Sequence, residues 1–252
     1  MIPRSPAKRY PVSMTSTPPT PRFLQSCQAL GLSLSPAELD QLARYLDLLL
    51  ETNKQFNLTA IKDPEQAWLR HILDSLSLLS HLPTSTSGGI DVGSGGGLPG
   101  IPLAICLPNI HFTLLEATGK KARFLQSVID DLKLPNVRVI HERAETLGQH
   151  QNHRQQYDFA VARAVGPLRV LLELTLPFVK VGGKLLAMKG VKAEAELADA
   201  TDAVMLLGGG EFECFEAMPG LDDEAVIIQI AKADQTPKKY PRLPGEPKLH
   251  PL

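Results

Sequence analysis

Apolar residues recur at helical intervals through the first third of the chain. Leu39, Leu42, Leu46 and Leu49 lie three or four apart, the spacing that gathers side chains on one helix face. Just ahead of them, Ser35-Pro36-Ala37-Glu38 places a cap, a proline at the first turn and a capping-box acid in order. Asp63-Pro64-Glu65-Gln66 repeats that start signal, and Trp68, Ile72, Leu76 and Leu79 form the stripe behind it. Residues 22–31 predict a shorter helix before both. Beyond Pro83 the pattern changes to short apolar runs. Ile90–Val92, Phe112–Glu116, Val137–His141, Phe159–Arg163 and Lys184–Met188 read as strands, with Pro99–Leu107, Lys120–Leu132, Pro167–Val179 and Ala193–Leu207 as the helices between or after them. Phe212–Ala217 and Ala225–Ala231 predict a closing antiparallel pair. This alternation predicts an α/β fold, a doubly wound and mostly parallel sheet covered on both faces.

Composition adds limits. In 252 residues, 43% hydrophobic and 21% charged positions exclude wholesale disorder. Lys and Arg number 26 against 27 Asp and Glu, a net charge of −1. That excludes a generally basic coat for nucleic acid but leaves room for a local basic patch. No apolar run approaches the roughly 18–20 residues that span a bilayer, so no membrane partner is expected. Cys27, Cys106 and Cys214 are far apart, odd in number and in no Cys-x-x-Cys pair. They predict neither a metal site nor a disulfide framework and fit a reducing cytoplasm.

The two ends differ from the middle. Residues 1–21 carry six prolines with Arg4, Lys8 and Arg9 and no acid, the composition of a disordered leader. Met14 offers an alternative start. The leader lacks the apolar stretch of a secretory signal, and its prolines oppose the amphipathic helix of a transit peptide. Residues 22–83 are expected to form a helical cap, 84–232 the sheet domain and 233–252 a basic, proline-rich tail. In and beside that tail Lys232, Lys238, Lys239, Arg242 and Lys248 stand against Asp234 and Glu246. Its prolines keep it extended, either as a solvated segment or as an arm for nucleic acid.

The sharpest chemical signal is Asp91-Val92-Gly93-Ser94-Gly95-Gly96-Gly97-Leu98-Pro99-Gly100, which leaves the first strand and enters a helix. Glycines allow a tight turn and a close ligand approach, and in a doubly wound sheet this loop lies where ligands bind. Gly95-x-Gly97-x-x-Gly100 matches the dinucleotide pattern formally. The acid on the strand favours a cationic ligand over a pyrophosphate, and S-adenosylmethionine is cationic and lacks phosphate. Glu116 ends the second strand 19 residues past Gly97, where a carboxylate accepts both ribose hydroxyls of an adenosine. Ala144-Glu145 follows the third strand, where a loop borders an adenine edge, although Glu145 alone reads as a solvated acid.

Several motifs together resemble the bacterial 16S rRNA guanine-N7 methyltransferase family (RsmG, also called GidB). They are Asn57-Leu58-Thr59, Arg70-His71-Ile72-Leu73-Asp74-Ser75-Leu76, the glycine loop through Ile101-Pro102, Gly119-Lys120-Lys121-Ala122-Arg123-Phe124-Leu125, Ala162-Arg163-Ala164, Lys189-Gly190, and Lys239-Tyr240-Pro241-Arg242 with Pro244-Gly245. The resemblance spans about residues 22–250 and implies a class I (Rossmann-like) methyltransferase domain behind a helical cap. It implies S-adenosylmethionine as cofactor and 16S rRNA or the small ribosomal subunit as partner. Its methyl-donor contacts carry over to Gly93 and Leu98, to Glu116-Ala117-Thr118, to Ala144-Glu145 and to Arg163. Gly96 stands where the family often has proline or another residue, which bears on loop stiffness more than on chemistry.

Residue types agree with that resemblance. After the fourth strand the chain reads Ala162-Arg163-Ala164-Val165-Gly166-Pro167, with no Asn/Asp-Pro-Pro-aromatic motif for an exocyclic amine. No cysteine stands where attack on a pyrimidine C5 needs one. Guanine N7 requires neither, because its lone pair is available and no proton leaves it; alignment and charge stabilisation suffice. Arg163 could hold the methionine carboxylate or the guanine O6 edge. His71 and Asp74 share a helix face as site-shaping residues, or as a His–Asp pair that orients the cap. Lys120, Lys121 and Arg123 oppose the dipole of the helix they begin, which points to phosphate contact; Lys189, Lys238, Lys239 and Arg242 extend one basic rim. A monomer is expected. The competing expectations are a methyltransferase for another RNA, a protein or a small molecule, an NAD(P)-dependent oxidoreductase, and an RNA-binding module without turnover.

Overall fold

The computed structural model describes residues 17–218 and 225–252. The leader expected over 1–21 therefore lies outside the described residues for its first sixteen positions. Its last five belong to the fold. Thr17 bonds Asp47 through both its N–H (2.9 Å) and its hydroxyl (2.6 Å), and Thr20 caps helix α1 (Pro21–Ala29). Thr20-Pro21 is a cap followed by a first-turn proline, a helix start concealed among the other prolines.

Helix α2 (Pro36–Asn53) opens with the expected capping box between Ser35 and Glu38. Next comes one composite helix. It runs through α3 (Pro64–Ala67), capped by Asp63, a π-helical turn at Trp68–Leu73, α4 (Asp74–Ser77) and a 3-10 turn at Leu78–His81. The sheet unit then follows: β1 (Gly88–Val92), α5 (Gly100–Cys106), β2 (His111–Leu115), α6 (Gly119–Leu132), β3 (Val137–Ile140), α7 (Ala144–Leu147), β4 (Tyr157–Arg163), α8 (Leu168–Thr175), β5 (Val179–Lys189), α9 (Ala193–Asp199), α10 (Thr201–Leu206), β6 (Gly209–Glu216), β7 (Val226–Lys232) and α11 (Glu246–Leu249).

The strand order is β3-β2-β1-β4-β5-β7-β6. β1 to β5 are parallel, and β7 runs antiparallel between β5 and β6. Each strand presents alternate residues to two cores. Phe112, Leu114, Phe159 and Val161 meet α5, α6 and the N-terminal helices in one apolar cluster with Leu42, Leu46, Leu49, Trp68 and Ile72. Ile90, Val92, Ala160 and Ala162 meet α8, α9 and α10 on the other face. The N-terminal helices thus share a core with one face of the sheet.

Three expected elements change extent. The helix over Pro167–Val179 ends at Thr175, because Pro177 in the following 3-10 turn (Leu176–Phe178) offers no N–H. Val179 already belongs to β5, which extends well before Lys184. The helix over Ala193–Leu207 is two helices that meet at Ala200.

The C-terminal segment is fastened down instead of lying free. Arg154 donates to the carbonyls of Thr236 and Tyr240 at 2.7 Å, and Gln149 to that of Pro241 at 2.7 Å. Arg242 pairs with the fully buried Glu173 of α8 through three side-chain bonds and its own backbone N–H. Arg242 therefore has a structural partner in place of the open basic rim expected for it.

Candidate functional site

The strand order reverses between β1 and β4, so the loops leaving their carboxyl ends diverge and open a crevice. The glycine loop forms its floor. Gly93, Gly95 and Gly97 have φ of +75°, +58° and +96°, a backbone region that side chains with a Cβ resist. Gly93 and Ser94 donate N–H bonds to the Leu115 carbonyl at the end of β2 (2.8 and 3.1 Å), which ties the loop to the neighbouring strand.

Asp91 braces the loop from below. It is fully buried, and its Oδ2 accepts the Gly100 N–H at 3.0 Å. A Cβ on Gly100 would stand 2.7 Å from that oxygen, so the close approach requires glycine. The other oxygen, Oδ1, has no hydrogen-bond partner. Burial pushes the Asp91 carboxyl up to about 7, while the Gly100 N–H, the Ser94 hydroxyl and the Arg163 charge pull the other way. One face of this acid is therefore structural, and the other is a buried acceptor suited to a cation.

Glu116 borders the crevice on the β2 side. Its two oxygens accept from the N–H of Gly95 (2.9 Å) and of Thr118 (2.7 Å), so the acid is oriented between the loops after β1 and β2. Ala117 and Thr118 are exposed beside it, and Leu98 is buried under the loop. Glu145 is not the solvated acid its isolated position indicated. It is buried, paired with Arg143 at 2.8 Å and bonded by the Gly245 N–H at 2.9 Å. Burial alone would raise its carboxyl, but Arg143 and Gly245 hold it below the usual range. Ala144 beside it is half-buried.

Arg163 ends β4 and draws three sequence-predicted residues together. One guanidinium nitrogen donates to the Arg70 carbonyl at 2.9 Å and lies 3.9 Å from Asp74 Oδ2; the other is 3.4 Å from His71 Nδ1. His71 Nε2 meets the Thr59 hydroxyl at 2.7 Å. Burial, then the Arg163 charge, lowers the His71 imidazole to about 4, so it is neutral at neutral pH. Burial also lowers the Arg163 guanidinium, while Asp74 and Asp91 both favour its charge. Ala164 then turns the chain with φ +57°.

Two residues escaped the sequence reading. Tyr45, fully buried on α2, donates its hydroxyl to the Gly96 carbonyl at 2.7 Å. Asn53 holds Asn57-Leu58-Thr59 in shape, accepting from the N–H of Leu58 and Thr59 (2.8 and 3.0 Å) and donating to the Thr59 carbonyl (2.9 Å). The available signal for Tyr45 was a polar-tipped aromatic beside a leucine stripe.

The expected basic rim divides. Lys120 and Arg123 are exposed and Lys121 half-buried where α6 begins without a side-chain cap. Lys238 and Lys239 are exposed. Lys189 is committed elsewhere, to Glu196 at 2.7 Å and the Gly166 carbonyl at 2.8 Å. Among the described residues, no group of His, Cys, Asp or Glu could hold a metal ion, and no helix is long and apolar enough to cross a membrane.

A crevice at the strand reversal, floored by a glycine loop with a buried acid and flanked by a second acid after β2, defines a class I S-adenosylmethionine-dependent methyltransferase. The same fold occurs in the S-adenosylmethionine-dependent methyltransferase SibL in its apo form, with TM-score 0.53 and 16% identity over 84% of this chain and 74% of that one. The family model described as rRNA small subunit methyltransferase G matches residues 38–218, and the chain belongs to this family, GidB. Among its relatives, the ribosomal RNA small subunit methyltransferase G of Leuconostoc citreum is 46% identical over 91% of this chain and 98% of its own length. That of Alkaliphilus metalliredigens is 44% identical over 90% and 95%.

Proposed function

We propose that this chain transfers a methyl group to N7 of one guanine in 16S ribosomal RNA. The observation that carries the reading is the crevice itself, in which Asp91 keeps a buried oxygen unpartnered and Glu116 is aimed across the two loops. S-adenosylmethionine, when bound, supplies an electrophilic methyl group on a positively charged sulfur. Gly93, Gly95 and Leu98 shape the floor beneath its methionine end, and the buried Asp91 carboxyl under the loop favours its positive charge. Glu116 takes the ribose hydroxyls, with Ala117 and Thr118 alongside. Ala144 and Glu145 border the adenine, Glu145 as part of a wall fixed by Arg143 and Gly245. Arg163 holds either the methionine carboxylate or the guanine O6 edge.

Guanine N7 offers a lone pair and loses no proton, so the chain must align the reactants and need not remove a proton. His71 agrees with that division of labour. Burial keeps it neutral, and its bond to Thr59 makes it a positioning group for Arg163 and the Asn57–Thr59 loop. Lys120, Lys121, Arg123, Lys238 and Lys239 supply phosphate contacts. The protein acts as a monomer in the cytoplasm; its free cysteines fit a reducing compartment.

Mass mapping of modified nucleotides in 16S rRNA, from cells with and without this protein, tests the function. One 7-methylguanosine should vanish in its absence and return when purified protein and S-adenosylmethionine are added to the undermethylated subunits or RNA. Identical maps would overturn the reading.

A further inference from the structure

Two neighbouring acceptors hold the tip of Arg163. One guanidinium nitrogen donates to the Arg70 carbonyl at 2.9 Å, and the other lies 3.4 Å from Nδ1 of His71. That carbonyl and that ring nitrogen are themselves 3.0 Å apart. Side by side, a carbonyl oxygen and an imidazole lone pair offer the guanidinium fork two acceptors, as a carboxylate would, but without a charge. Asp74 Oδ2 stands back at 3.9 Å. The cradle exists only if Nδ1 carries a lone pair and no proton, because a guanidinium only donates.

We propose that Thr59 is a positioning residue for methyl transfer: its hydroxyl oxygen accepts a hydrogen bond from His71 Nε2–H, fixes that tautomer and so turns the Nδ1 lone pair toward Arg163. The proposal rests on the reading above, in which Arg163 meets the methionine carboxylate or the guanine. His71 Nε2 meets Thr59 Oγ1 at 2.7 Å. The same oxygen accepts the Ile61 N–H at 3.0 Å, so both lone pairs of the hydroxyl are used. The Arg70 carbonyl, the other group within reach of Nδ1, is already served by Arg163. In the opposite tautomer Nδ1–H would point at that carbonyl, and Arg163 would face an N–H and lose one of its two holds. Burial and the Arg163 charge keep the imidazole neutral, so the tautomer is what has to be set.

One helix places both Thr59 and the donor loop. Asn53 on α2 fixes Thr59 through its N–H (3.0 Å) and its carbonyl (2.9 Å). About two turns earlier on α2, Tyr45 donates to the Gly96 carbonyl. Leu58, the neighbour of Thr59, closes over that loop: a Cβ on Gly96 would stand 3.7 Å from Leu58 Cβ. Helix α2 therefore sets the glycine loop and the Arg163 cradle against each other. Transfer depends on that alignment, with the reacting atoms held about 3–3.5 Å apart.

The test pairs a spectrum with a rate. Nitrogen NMR of ring-labelled histidines compares wild type, Thr59→Ser and Thr59→Val, with His71→Gln identifying the His71 signals by their loss. At neutral pH wild type and Thr59→Ser should show a protonated Nε2 and an unprotonated Nδ1. Thr59→Val keeps the shape and removes the hydroxyl, so it should populate the Nδ1–H form. On undermethylated 16S rRNA, free or in small subunits, kcat for Thr59→Val should fall about 10- to 100-fold, and Thr59→Ser should recover it to within about threefold. Thr59 is half-buried, and Thr59→Ala serves if the valine variant fails to fold. A protonated Nδ1 in wild type would overturn the proposal, as would a folded Thr59→Val with the wild-type spectrum or rate, or a serine variant no better than the valine one. If wild-type protein methylates no 16S rRNA, the guanine-N7 reading itself fails, while the spectra still decide the tautomer.

Discussion

The hydroxyl of Tyr45 donates to the Gly96 carbonyl at 2.7 Å, so a helix of the N-terminal segment holds the glycine loop of the sheet directly. The bond spans 51 residues of sequence, and both partners are buried. Tyr45→Phe keeps the ring packing and leaves the carbonyl without its donor. It should lower stability by about 1 kcal/mol and weaken S-adenosylmethionine binding several-fold. Thermal unfolding and calorimetry check the two effects separately.

Asp91 makes donor binding depend on pH. Its carboxyl is raised to about 7 in the folded chain, against an ordinary 3.8, so the folded protein retains a proton that the unfolded one releases. The Asp91 contribution to stability therefore falls as pH rises from about 4 to about 7. A cation bound above the loop favours the ionised form. Binding of S-adenosylmethionine should release a proton and tighten by several-fold as pH rises through that window. Asp91→Asn should bind more weakly and lose this slope, as read by calorimetry in buffers of different ionisation enthalpy. A slope unchanged in the variant would assign it to another group.

Arg242 and the tail lysines should separate cleanly. Arg242→Ala leaves Glu173 buried without its cation and should cost about 3–5 kcal/mol. It should also expose the segment after Lys232 to limited proteolysis. Because Gly245 no longer steadies Glu145, S-adenosylmethionine affinity should fall as well. Lys238→Ala with Lys239→Ala should change none of these.

The exposed cations are better judged on RNA. Replacing Lys120, Lys121 and Arg123 by alanine should weaken binding to ribosomal RNA. The slope of log affinity against log salt should shrink by about one for each phosphate that is no longer neutralised. Cofactor affinity should stay unchanged. An unaltered salt slope would assign these side chains to solvent.

The parts legible in the sequence are those whose cause is local. Ser35 and Glu38 cap a helix three residues apart, and Asp91 with its glycines encodes a turn within ten residues. Glu116 was found because strand, acid and spacing fall in one βαβ unit. What escaped depends on distant partners. Arg242 reads as a solvated cation until Glu173, 69 residues away, is seen beneath it. Glu145 reads as a surface acid until Gly245 arrives from the far end of the chain. The break at Ala200 carries no glycine or proline, so periodicity ran through it. The π-helical turn at Trp68–Leu73 has no signature in an apolar stripe, because a wider turn and an ordinary one bury the same kinds of residue.

That wider turn also governs how the segment tolerates a change of length. Deleting one residue there would swing everything downstream by about 100° relative to what precedes it. Asp74 would swing away from Arg163, yet the total greasiness of the stretch would barely alter. Spacing, more than character, is what this stretch has to preserve, and the first casualty of a missing codon would be chemistry while the packing could still find a way to close.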